Sequence, residues 1–360
     1  MKIVMVCPQI SSSSFITTYP YAKILSKEHD VKIVGPLLGK EPFIRDATLD
    51  FEFIEPPVGR PPQLALASAY FSVKKRLMRG DFDVMHAFKL FPNTAMPAAA
   101  VKRRIGKKLV ITVDDYDVAS PKNPFKRLVL RAAERAYKSA DRMIVSSTYL
   151  QKIYGGDIIH QVANEPLFLG KKYTGAAVRK KYDLQDKKII LYAGTIFEHK
   201  GIDVLIKAVQ SLNDKDVKLV VVGEGKTALL RLAGDETLYI GKAPIEEIPD
   251  FVAACDVYAI PTRPSTYANA QIPGKIFEPM MMGRAVIASA VSDIPAILDY
   301  GKAGLVVRPN DVRSLADGLK LLLSDDSLRR RLGDSAKRRY EAMYSYARIE
   351  EKIKTVYSKL

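Results

Sequence analysis

The sequence predicts an α/β protein made of two doubly wound domains, each with a parallel sheet. Short runs rich in Val and Ile alternate with helical patterns along the whole chain, which is typical of βαβ units. The alternation forms two series, and residues 164–181 between them show little periodicity and contain two glycines. With 360 residues, of which 48% are hydrophobic, the chain is long enough to form two separate cores.

The first series predicts an N-terminal domain over residues 1–165. Its expected strands are the apolar runs at residues 2–6, 31–34, 84–87, 109–113, 142–146 and 157–162. Helical spacing of apolar residues also predicts helices over residues 64–78 and 125–137. We therefore expect one parallel sheet covered by helices.

The second series predicts a C-terminal domain over residues 166–340. Its expected strands are residues 189–193, 218–222, 237–239, 257–260, 285–288 and 304–307. Residues 164–174 are the predicted hinge between the two domains. The final segment, residues 341–360, is predicted to be a helix that crosses back onto the first domain.

The formal net charge of +16 favours an anionic partner. In the first half of the chain the basic residues cluster at 74–79, 102–108 and 126–135, and the first and third clusters lie on predicted amphipathic helices. Such helices are suited to an anionic membrane surface, and solvated helix faces are the alternative. Nucleic acid is not an expected partner, because these clusters lack interleaved aromatic residues.

The compartment is predicted from three features. No apolar run approaches the roughly 18 residues of a membrane-spanning helix. The N-terminal run MKIVMVCPQI reaches Pro8 too soon for a signal peptide, which favours a buried first strand. Cys7 and Cys255 lie far apart without metal-ligand spacing, which predicts two reduced thiols. We therefore expect a cytoplasmic protein, either free or peripheral on a membrane.

Residues 271–288, QIPGKIFEPMMMGRAVIA, are the most informative stretch of the chain. They place a lone acid, Glu278, in a predicted helix that opens at Pro273. A glutamate there is suited to hold vicinal sugar hydroxyls, and the helix start supplies backbone N–H groups for a phosphate. Residues 191–201, LYAGTIFEHKG, predict a strand, a glycine turn, a lysine and a helix. Together the two segments predict a site for a nucleotide-diphosphate sugar.

These segments are predicted to share one edge of the second sheet. Ligands of open α/β sheets bind outside the carboxyl ends of the strands. Gly194 and Lys200 follow one predicted strand end, and Gly223 and Glu224 follow the next. Glu278 comes after a third strand and a long loop. We therefore expect these residues to line the same binding region.

The same segments resemble the retaining glycosyltransferases of the GT-B fold, specifically glycosyltransferase family 4. GTIFEHKG is similar to the family's donor-phosphate loop, and VVGEG to its following strand and turn. The nucleotide-base strand, with the next helix and strand, resembles IGKAPIEEIPDFVAACDVYAIPT. The ribose-binding helix resembles PGKIFEPMMMGRAVIAS, and the penultimate strand and helix resemble AGLVVRPNDVRSLADGLKLLLSD. In the first half, DVMHAFK and LVITVDDYD resemble strands of the acceptor domain. The resemblance implies two Rossmann-like domains that face each other across a cleft.

The resemblance also implies individual roles. Lys200 is expected to neutralise the donor diphosphate, Glu278 to bind the ribose hydroxyls, and Lys275 to add a second cation. The donor-binding residues expected on this basis are Gly194, Thr195, Lys200, Gly223, Glu224, Lys242, Gly274, Lys275, Ile276 and Glu278. In the first domain, Asp115 and His86 are the candidate catalytic residues expected to face the reacting centre.

The chain departs from the family pattern at several positions. Thr195 stands where an arginine usually follows the glycine of the phosphate loop. Ala270 stands where an acid would contact the transferred sugar, so Gln271 or nearby backbone is expected to make that contact. Asp114 replaces a histidine before Asp115. The glycine pair after the first strand is also missing, and residues 11–14, four serines, are expected to form that phosphate-facing loop.

Neither a metal nor a cofactor is expected. Residues 81–83 and 115–117 mimic a DxD metal pair, but GT-B enzymes generally use lysine, arginine and helix ends in that role. No residues show zinc-ligand spacing, and residues 225–227 lack the earlier glycine of a nucleotide-hydrolysing phosphate loop. The first strand is not followed by GxGxxG, which argues against a dinucleotide oxidoreductase.

The sequence therefore predicts transfer of a sugar from a nucleotide-diphosphate-sugar donor to a lipid-linked or glycan acceptor, with retention of the anomeric configuration. Closure of the two domains is expected to exclude water. Two alternatives stay open. One is a degenerate relative that binds nucleotide or glycan without turnover, motivated by Thr195 and Ala270. The other is a soluble enzyme that makes a small glycoside.

Overall fold

The structure, a computed structural model, describes residues 1–39, 41–55, 62–119 and 123–360, apart from the side chains of residues 62–67. The chain divides into two compact units. Unit 1 comprises Met1–Gln161 and Glu350–Leu360, and unit 2 comprises Val162–Ile349. Each unit is built around one sheet whose paired strands are parallel. The structure thus confirms the predicted α/β fold class.

Unit 1 contains a seven-stranded sheet within its described residues. The strands are β1 (Lys2–Val6), β2 (Asp30–Pro36), β3 (Asp50–Ile54), β4 (Val84–Phe88), β5 (Lys108–Val113), β6 (Arg142–Val145) and β7 (Asp157–Ile158). The helices are α1 (Phe15–Leu25), α2 (Pro62–Arg79), α3 (Ala95–Ile105), α4 (Pro124–Glu134) and α5 (Thr148–Tyr154). The strand order is β3-β2-β1-β4-β5-β6-β7, so the winding reverses between β1 and β4.

The central strands of unit 1 are buried on both faces. Every residue of β4 is buried, and so is every residue of β5 after Lys108. Helices cover both sides of a parallel sheet, so its strands appear in the sequence as continuous apolar runs rather than as alternating patterns. This is why these strands could be predicted from short Val- and Ile-rich segments.

The edges of this sheet differ from the prediction. β3 is absent from the predicted strands, because its sequence DFEFI alternates acidic and aromatic residues. It is an edge strand that pairs with β2, and Phe53 is exposed on it. At the other edge, β7 is a two-residue strand and not the longer run predicted over residues 157–162. Edge strands bury less surface and so leave a weaker hydrophobic pattern in the sequence.

Unit 2 contains a six-stranded sheet. Its strands are β8 (Lys188–Ala193), β9 (Val217–Val222), β10 (Thr237–Gly241), β11 (Val257–Ile260), β12 (Ala285–Ser289) and β13 (Leu305–Val307). Its helices are α6 (Glu165–Leu169), α7 (Ala176–Lys181), α8 (Ile202–Leu212), α9 (Ile248–Ala254), α10 (Thr266–Ala270), α11 (Phe277–Met281), α12 (Ile294–Ile297), α13 (Val312–Ser324) and α14 (Asp326–Met343). The strand order is β10-β9-β8-β11-β12-β13, so the winding reverses between β8 and β11.

Two hydrophobic cores cover the faces of the unit 2 sheet. On one face Phe251, Phe277 and Tyr340 pack from α9, α11 and α14. On the other face Leu205 and Leu319 pack from α8 and α13. Full burial of a side chain of this size contributes about 2 kcal/mol to folding. The two cores therefore hold the sheet rigidly, and with it the loops at the strand ends.

The predicted hinge segment is partly helical. α6 begins at Glu165, whose Oε1 accepts hydrogen bonds from the Tyr340 hydroxyl at 2.8 Å and from the Tyr346 N–H at 2.6 Å. Both partners belong to unit 2, as Glu165 does. One carboxylate oxygen thus fastens the beginning of α6 to the junction after α14.

The C-terminal residues complete unit 1. The last helix, α15, spans Tyr346–Tyr357, and its residues from Glu350 onward belong to that unit. Lys354 forms an ion pair with Glu28 at 2.6 Å. The Tyr357 hydroxyl is buried and lies 2.8 Å from Nδ1 of His86 on β4. The end of α15 is therefore part of the core of unit 1.

Candidate functional site

In unit 2 the predicted donor residues follow the carboxyl ends of β8, β9 and β10 and, after α10, that of β11. The winding of the sheet reverses between β8 and β11, which is where open α/β sheets form their binding crevice. Three segments meet here: residues 194–200 after β8, residues 223–224 after β9, and residues 271–278, which follow α10. The contacts among these segments build the site.

The loop after β8 lies directly against the loop after β9. The Gly194 N–H donates to the Val222 carbonyl at 2.9 Å, and the Ile196 N–H donates to the Glu224 carbonyl at 2.9 Å. At Gly223 φ is +144°, and a Cβ atom would lie 1.9 Å from the Gly194 carbonyl oxygen. Only glycine permits so close an approach, so this part of the site is lined by backbone.

Lys200 connects the start of α8 to the segment that follows α10. Its Nζ donates a hydrogen bond to Oε1 of Gln271 at 2.8 Å. The next residue, Gly201, has φ +69°, and a Cβ atom there would lie 2.0 Å from the Pro261 carbonyl oxygen. This close packing brings the start of α8 against the loop after β11. Ala270 is fully buried, so Gln271 is the polar side chain at this point of the chain.

Glu278 lies in the first turn of α11, after a 3-10 turn over Gly274–Ile276. Its Oε1 is 3.6 Å from Nζ of Lys275, and the Glu278 side chain is mostly buried. Its Oε2 is buried and has no hydrogen-bond partner among the described residues. Burial raises the pKa of Glu278, while the Lys275 ammonium opposes that rise. Because a buried polar atom without a partner is costly, this oxygen is a ready acceptor for ligand hydroxyl groups.

The positive charge near Glu278 comes from side chains more than from a helix dipole. α11 has only five residues, so few peptide dipoles align at its start. Lys275 lies near Gly194, because a Cβ atom on that glycine would be 3.7 Å from Cδ of Lys275. Lys275 and Lys200 thus stand on two of the converging segments, where they can attract an anion.

The other predicted donor residues occupy different environments. Glu224 and Lys242 form an ion pair at 3.4 Å, and both side chains are largely exposed. Thr195 is exposed, and its carbonyl oxygen accepts a hydrogen bond from the Tyr192 hydroxyl at 2.6 Å. The Ile276 side chain is fully buried in the core of unit 2.

In unit 1 the structure reveals a buried charge cluster that the sequence analysis missed. Lys89, directly after β4, places its Nζ 2.6 Å from Oδ2 of Asp115, 2.9 Å from Oδ1 of Asp114 and 3.6 Å from Oδ2 of Asp117. Lys89 has φ +65°, a strained conformation for a residue with a Cβ. We call these four residues the Lys89 cluster. They lie at the carboxyl ends of the neighbouring strands β4 and β5.

Burial and charge shift the titration of this cluster. Burial acts to lower the pKa of Lys89, but the three carboxylates outweigh it and raise that pKa well above its ordinary value. Burial raises the pKa of Asp117 to about 7, against the opposing effect of Lys89. Asp115 therefore faces a fixed cation, and Asp117 changes charge near neutral pH.

Part of the signal for this cluster was available in the sequence. The residue after a strand of a parallel sheet lies at the ligand-binding edge, and Lys89 follows the predicted strand at 84–87. The pairing of β4 with β5 brings Lys89 to Asp115, which is 26 residues away in the chain. Without knowledge of the strand order, this contact could not be predicted.

His86 does not lie where the sequence analysis expected it. It is fully buried within β4, and its Nε2 lies 2.7 Å from the Thr112 hydroxyl. Its Nδ1 lies 2.8 Å from the Tyr357 hydroxyl. Burial lowers the pKa of His86 to about 3. The expectation that His86 faces the reacting centre is wrong, because a neutral imidazole bonded at both nitrogens inside the core is a structural residue.

The serine loop after β1 uses its hydroxyl groups locally. The Ser11 hydroxyl accepts from the N–H groups of Leu38 at 3.1 Å and Gly39 at 3.0 Å. The hydroxyls of Ser12 and Ser14 lie 2.7 Å apart. These bonds order the loop beside the carboxyl end of β1.

The described residues offer neither a metal-binding cluster nor a membrane-spanning helix. Within that part of the chain, no group of three or more His, Cys, Asp or Glu side chains is arranged to hold a metal ion. No helix there is both long enough and apolar enough to span a bilayer.

The family of the chain follows from comparison with known proteins. Residues 18–156 match the family described as glycosyl transferase 4-like domain, and residues 176–339 match glycosyl transferases group 1. The two matches lie in units 1 and 2, respectively, and together span most of the chain. The chain belongs to the family 4 glycosyltransferases, and it is a glycosyltransferase enzyme.

Curated relatives support this assignment. The chain is 21% identical to the N-acetyl-alpha-D-glucosaminyl L-malate synthase of Bacillus anthracis, over 99% of this chain and 96% of that protein. It is 29% identical to the alpha-D-kanosaminyltransferase of Streptomyces kanamyceticus, over 51% of this chain and 49% of that protein. The chain thus matches about half the length of the latter relative.

Solved structures show the same fold. Sucrose-phosphate synthase from Thermosynechococcus elongatus superimposes with a TM-score of 0.79 at 19% identity, over 100% of this chain and 99% of that one. The Anabaena protein Alr3699/HepE, solved in complex with UDP, superimposes with a TM-score of 0.76 at 18% identity and covers both chains fully. Structural neighbours of this kind establish the GT-B fold.

Proposed function

We propose that this enzyme transfers a sugar from a nucleotide-diphosphate-sugar donor to a lipid-linked or glycan acceptor, with retention of the anomeric configuration. The observation that carries the proposal is Oε2 of Glu278, a buried oxygen without a hydrogen-bond partner among the described residues. A carboxylate with one free buried oxygen is suited to accept hydrogen bonds from the vicinal hydroxyls of a ribose. The UDP complex of the Anabaena neighbour supports a nucleotide donor.

The diphosphate would meet two cations and a backbone-lined loop. Lys200 and Lys275 stand on converging segments, and Gly223 lets the loops after β8 and β9 pack closely, so that backbone groups line this part of the site. The leaving diphosphate gains negative charge in the transition state, so cations fixed in advance lower the barrier by several kcal/mol. On this proposal the two lysines replace a metal ion, and Lys275 compensates for the missing arginine at Thr195.

The acceptor side is assigned to unit 1. The Lys89 cluster lies at the carboxyl end of its sheet, and Asp115 there is held by a buried ammonium. A carboxylate in a fixed orientation can accept a hydrogen bond from an incoming hydroxyl group and so orient it. The acceptor class is proposed to be lipid-linked or glycan, and the enzyme is proposed to work at a cytoplasmic membrane surface.

A thermal-shift series tests the proposal. Wild-type protein, Lys200→Ala, Glu278→Ala and the exposed-lysine control Lys207→Ala are melted with UDP, GDP, ADP and their common sugars. A nucleotide at 100 times its dissociation constant adds about 2.7 kcal/mol of stability. We expect one nucleotide to stabilise wild type and the control but neither site variant. A folded wild type that no nucleotide stabilises would contradict the proposal and favour a degenerate relative that binds glycan without turnover.

Turnover and stereochemistry need a second measurement. Incubation of the stabilising sugar nucleotide with lipid-linked and glycan acceptors is expected to give a product whose anomeric coupling constant matches that of the donor. Inverted coupling in the isolated product would contradict retention. A product formed equally well with small water-soluble acceptors alone would contradict the proposed acceptor class.

A further inference from the structure

The surface of α4 in unit 1 combines exposed apolar side chains with basic residues. Phe125 and Leu128 are 73% and 65% exposed, and Val129 is also exposed. With the exposed Ala132 they occupy positions i, i+3, i+4 and i+7, so they line one face of the helix. We call these four residues the α4 stripe.

The α4 stripe is not the face that packs on unit 1. The core side of α4 is formed by Leu130 and Ala133, which are buried. α4 therefore has two apolar faces, one inside the unit and one in solvent. Exposed aromatic and leucine side chains in one row are costly in water and indicate a surface that binds a partner.

Basic side chains accompany the stripe. Lys126, Arg127 and Arg131 lie on α4, and Arg135 follows in the next turn; all are exposed. The acid of this segment, Glu134, accepts a hydrogen bond from the Tyr154 hydroxyl at 2.5 Å. The exposed charge around the stripe is therefore positive, which matches an anionic surface.

We propose that the α4 stripe docks unit 1 on an anionic lipid membrane, with Phe125 and Leu128 in the headgroup region and the basic residues on lipid phosphates. A bilayer has an apolar layer directly beneath a layer of negatively charged headgroups. The apolar α4 stripe and the basic residues beside it match these two layers. The inference rests on the proposed function for its purpose, since a docked enzyme meets lipid-linked acceptors. The docking itself requires no catalysis.

α4 lies next to the Lys89 cluster in unit 1. The 3-10 turn Asp117–Ala119, which carries one member of the Lys89 cluster, packs against α4. A bilayer under the α4 stripe would therefore lie on the same side of unit 1 as the carboxylates assigned to the acceptor.

Vesicle sedimentation tests the proposal without any substrate. Wild type is mixed with vesicles of phosphatidylcholine alone and with vesicles containing about one third phosphatidylglycerol. We expect binding to the anionic vesicles, weakened by salt. Phe125→Ser/Leu128→Ser is expected to lower the partition coefficient about tenfold or more. Lys126→Gln/Arg131→Gln is expected to lower it about 25-fold on anionic vesicles, roughly fivefold for each charge removed.

Matched variants in unit 2 control for general effects. Leu232→Ser/Leu321→Ser removes two apolar residues of about half exposure, and Lys207→Gln/Lys320→Gln removes two exposed lysines. Both controls are expected to bind vesicles as wild type does. Circular dichroism and the nucleotide thermal shift are expected to be unchanged in all four variants, which separates loss of docking from loss of fold or of donor binding.

Three results would overturn the docking proposal. The first is folded wild-type protein that sediments with neither kind of vesicle. The second is vesicle binding that Phe125→Ser/Leu128→Ser leaves unchanged. The third is a dimer in solution that this variant dissociates, since the stripe would then bind a second copy of the chain. None of these results bears on donor binding, so the proposed transfer reaction stands or fails separately.

Discussion

Nζ of Lys89 donates a hydrogen bond to Oδ2 of Asp115 at 2.6 Å in the interior of unit 1. Both side chains are at least four-fifths buried, and Asp114 and Asp117 lie within 3.6 Å of the same ammonium. Three carboxylates thus share one cation at the carboxyl end of the sheet. Loss of Lys89 would leave all three buried carboxylates without a cation, and an unpaired buried charge is strongly destabilising.

Removal of the ammonium is expected to destabilise the protein strongly. Lys89→Met keeps an unbranched side chain but leaves the three carboxylates without a cation, and the free energy of unfolding should fall by about 3 kcal/mol or more. The loss should be smaller at low pH, since protonation of the carboxylates relieves their repulsion. Urea unfolding at several pH values measures both effects.

Lys226→Met is the matched control for this prediction. Lys226 pairs with Glu198 at 2.8 Å, but both side chains are more than half exposed. Exposed pairs contribute about 0.5 kcal/mol or less. Equal losses in the two variants would mean that the Lys89 cluster is no more important than a surface ion pair.

The stability of unit 1 is expected to depend on the titration of Asp117. Its folded pKa is about 7, above the value near 3.9 of an unfolded chain. Between these values the folded state keeps a proton that the unfolded state releases, so this contribution is complete below about pH 4 and is lost as pH rises through 7. Each pKa unit of difference between the folded and unfolded states corresponds to about 1.4 kcal/mol of unfolding free energy.

Asp117→Asn tests that assignment. The amide does not titrate, so the fall in unfolding free energy between pH 4 and 7 should be shallower in the variant than in wild type. Urea unfolding across this range provides the slopes. Parallel curves for the two proteins would show that Asp117 titrates at an ordinary pKa.

Much of the fold could be predicted because buried parallel strands leave a strong pattern. The expected runs at 84–87 and 109–113 fall within β4 and β5, which are covered on both faces. β3 could not be predicted in the same way, since DFEFI has no apolar run and lies at the edge of the sheet. The hydrophobic pattern of a strand in the sequence is stronger when more of the strand is buried, and edge strands bury less surface.

The contacts within the candidate site could not be predicted, for a different reason. Glu278 and Lys200 stand in recognisable local segments, so their neighbourhoods could be predicted from the chain alone. The hydrogen bond from Lys200 to Gln271 joins residues 71 positions apart, and the Lys89 cluster joins two strands. Such contacts depend on strand order and loop packing. His86 shows the converse, because its place in a strand was visible but its hydroxyl partners from β5 and α15 were not.

Gly223 is expected to be essential to the local backbone. A Cβ atom there would lie 1.9 Å from the Gly194 carbonyl oxygen, so Gly223→Ala must separate the loops after β8 and β9. We expect a loss of about 3 kcal/mol in unfolding free energy and loss of the nucleotide thermal shift. Gly106→Ala is the control: Gly106 also has positive φ, but a Cβ atom there meets nothing within 4 Å. It should cost only about 1 kcal/mol. Equal costs would mean that conformational strain alone explains the loss at Gly223.

Glu278 is expected to favour nucleotide binding while lowering the unfolding free energy of the unliganded protein. Its carboxylate is buried with Oε2 unpartnered among the described residues, and burial raises its pKa, so the charge is held at a cost in the absence of ligand. Glu278→Gln keeps the shape and removes the charge, and should leave unfolding free energy unchanged or raise it by about 1 kcal/mol. The same variant should lose the stabilisation by nucleotide, because an amide presents one acceptor oxygen where the carboxylate presents two. Thermal unfolding with and without nucleotide measures both quantities, and the exposed Glu341→Gln should behave as wild type in each. A Glu278→Gln protein that is less stable yet retains its nucleotide shift would make Glu278 a structural acid and move the ribose contact elsewhere.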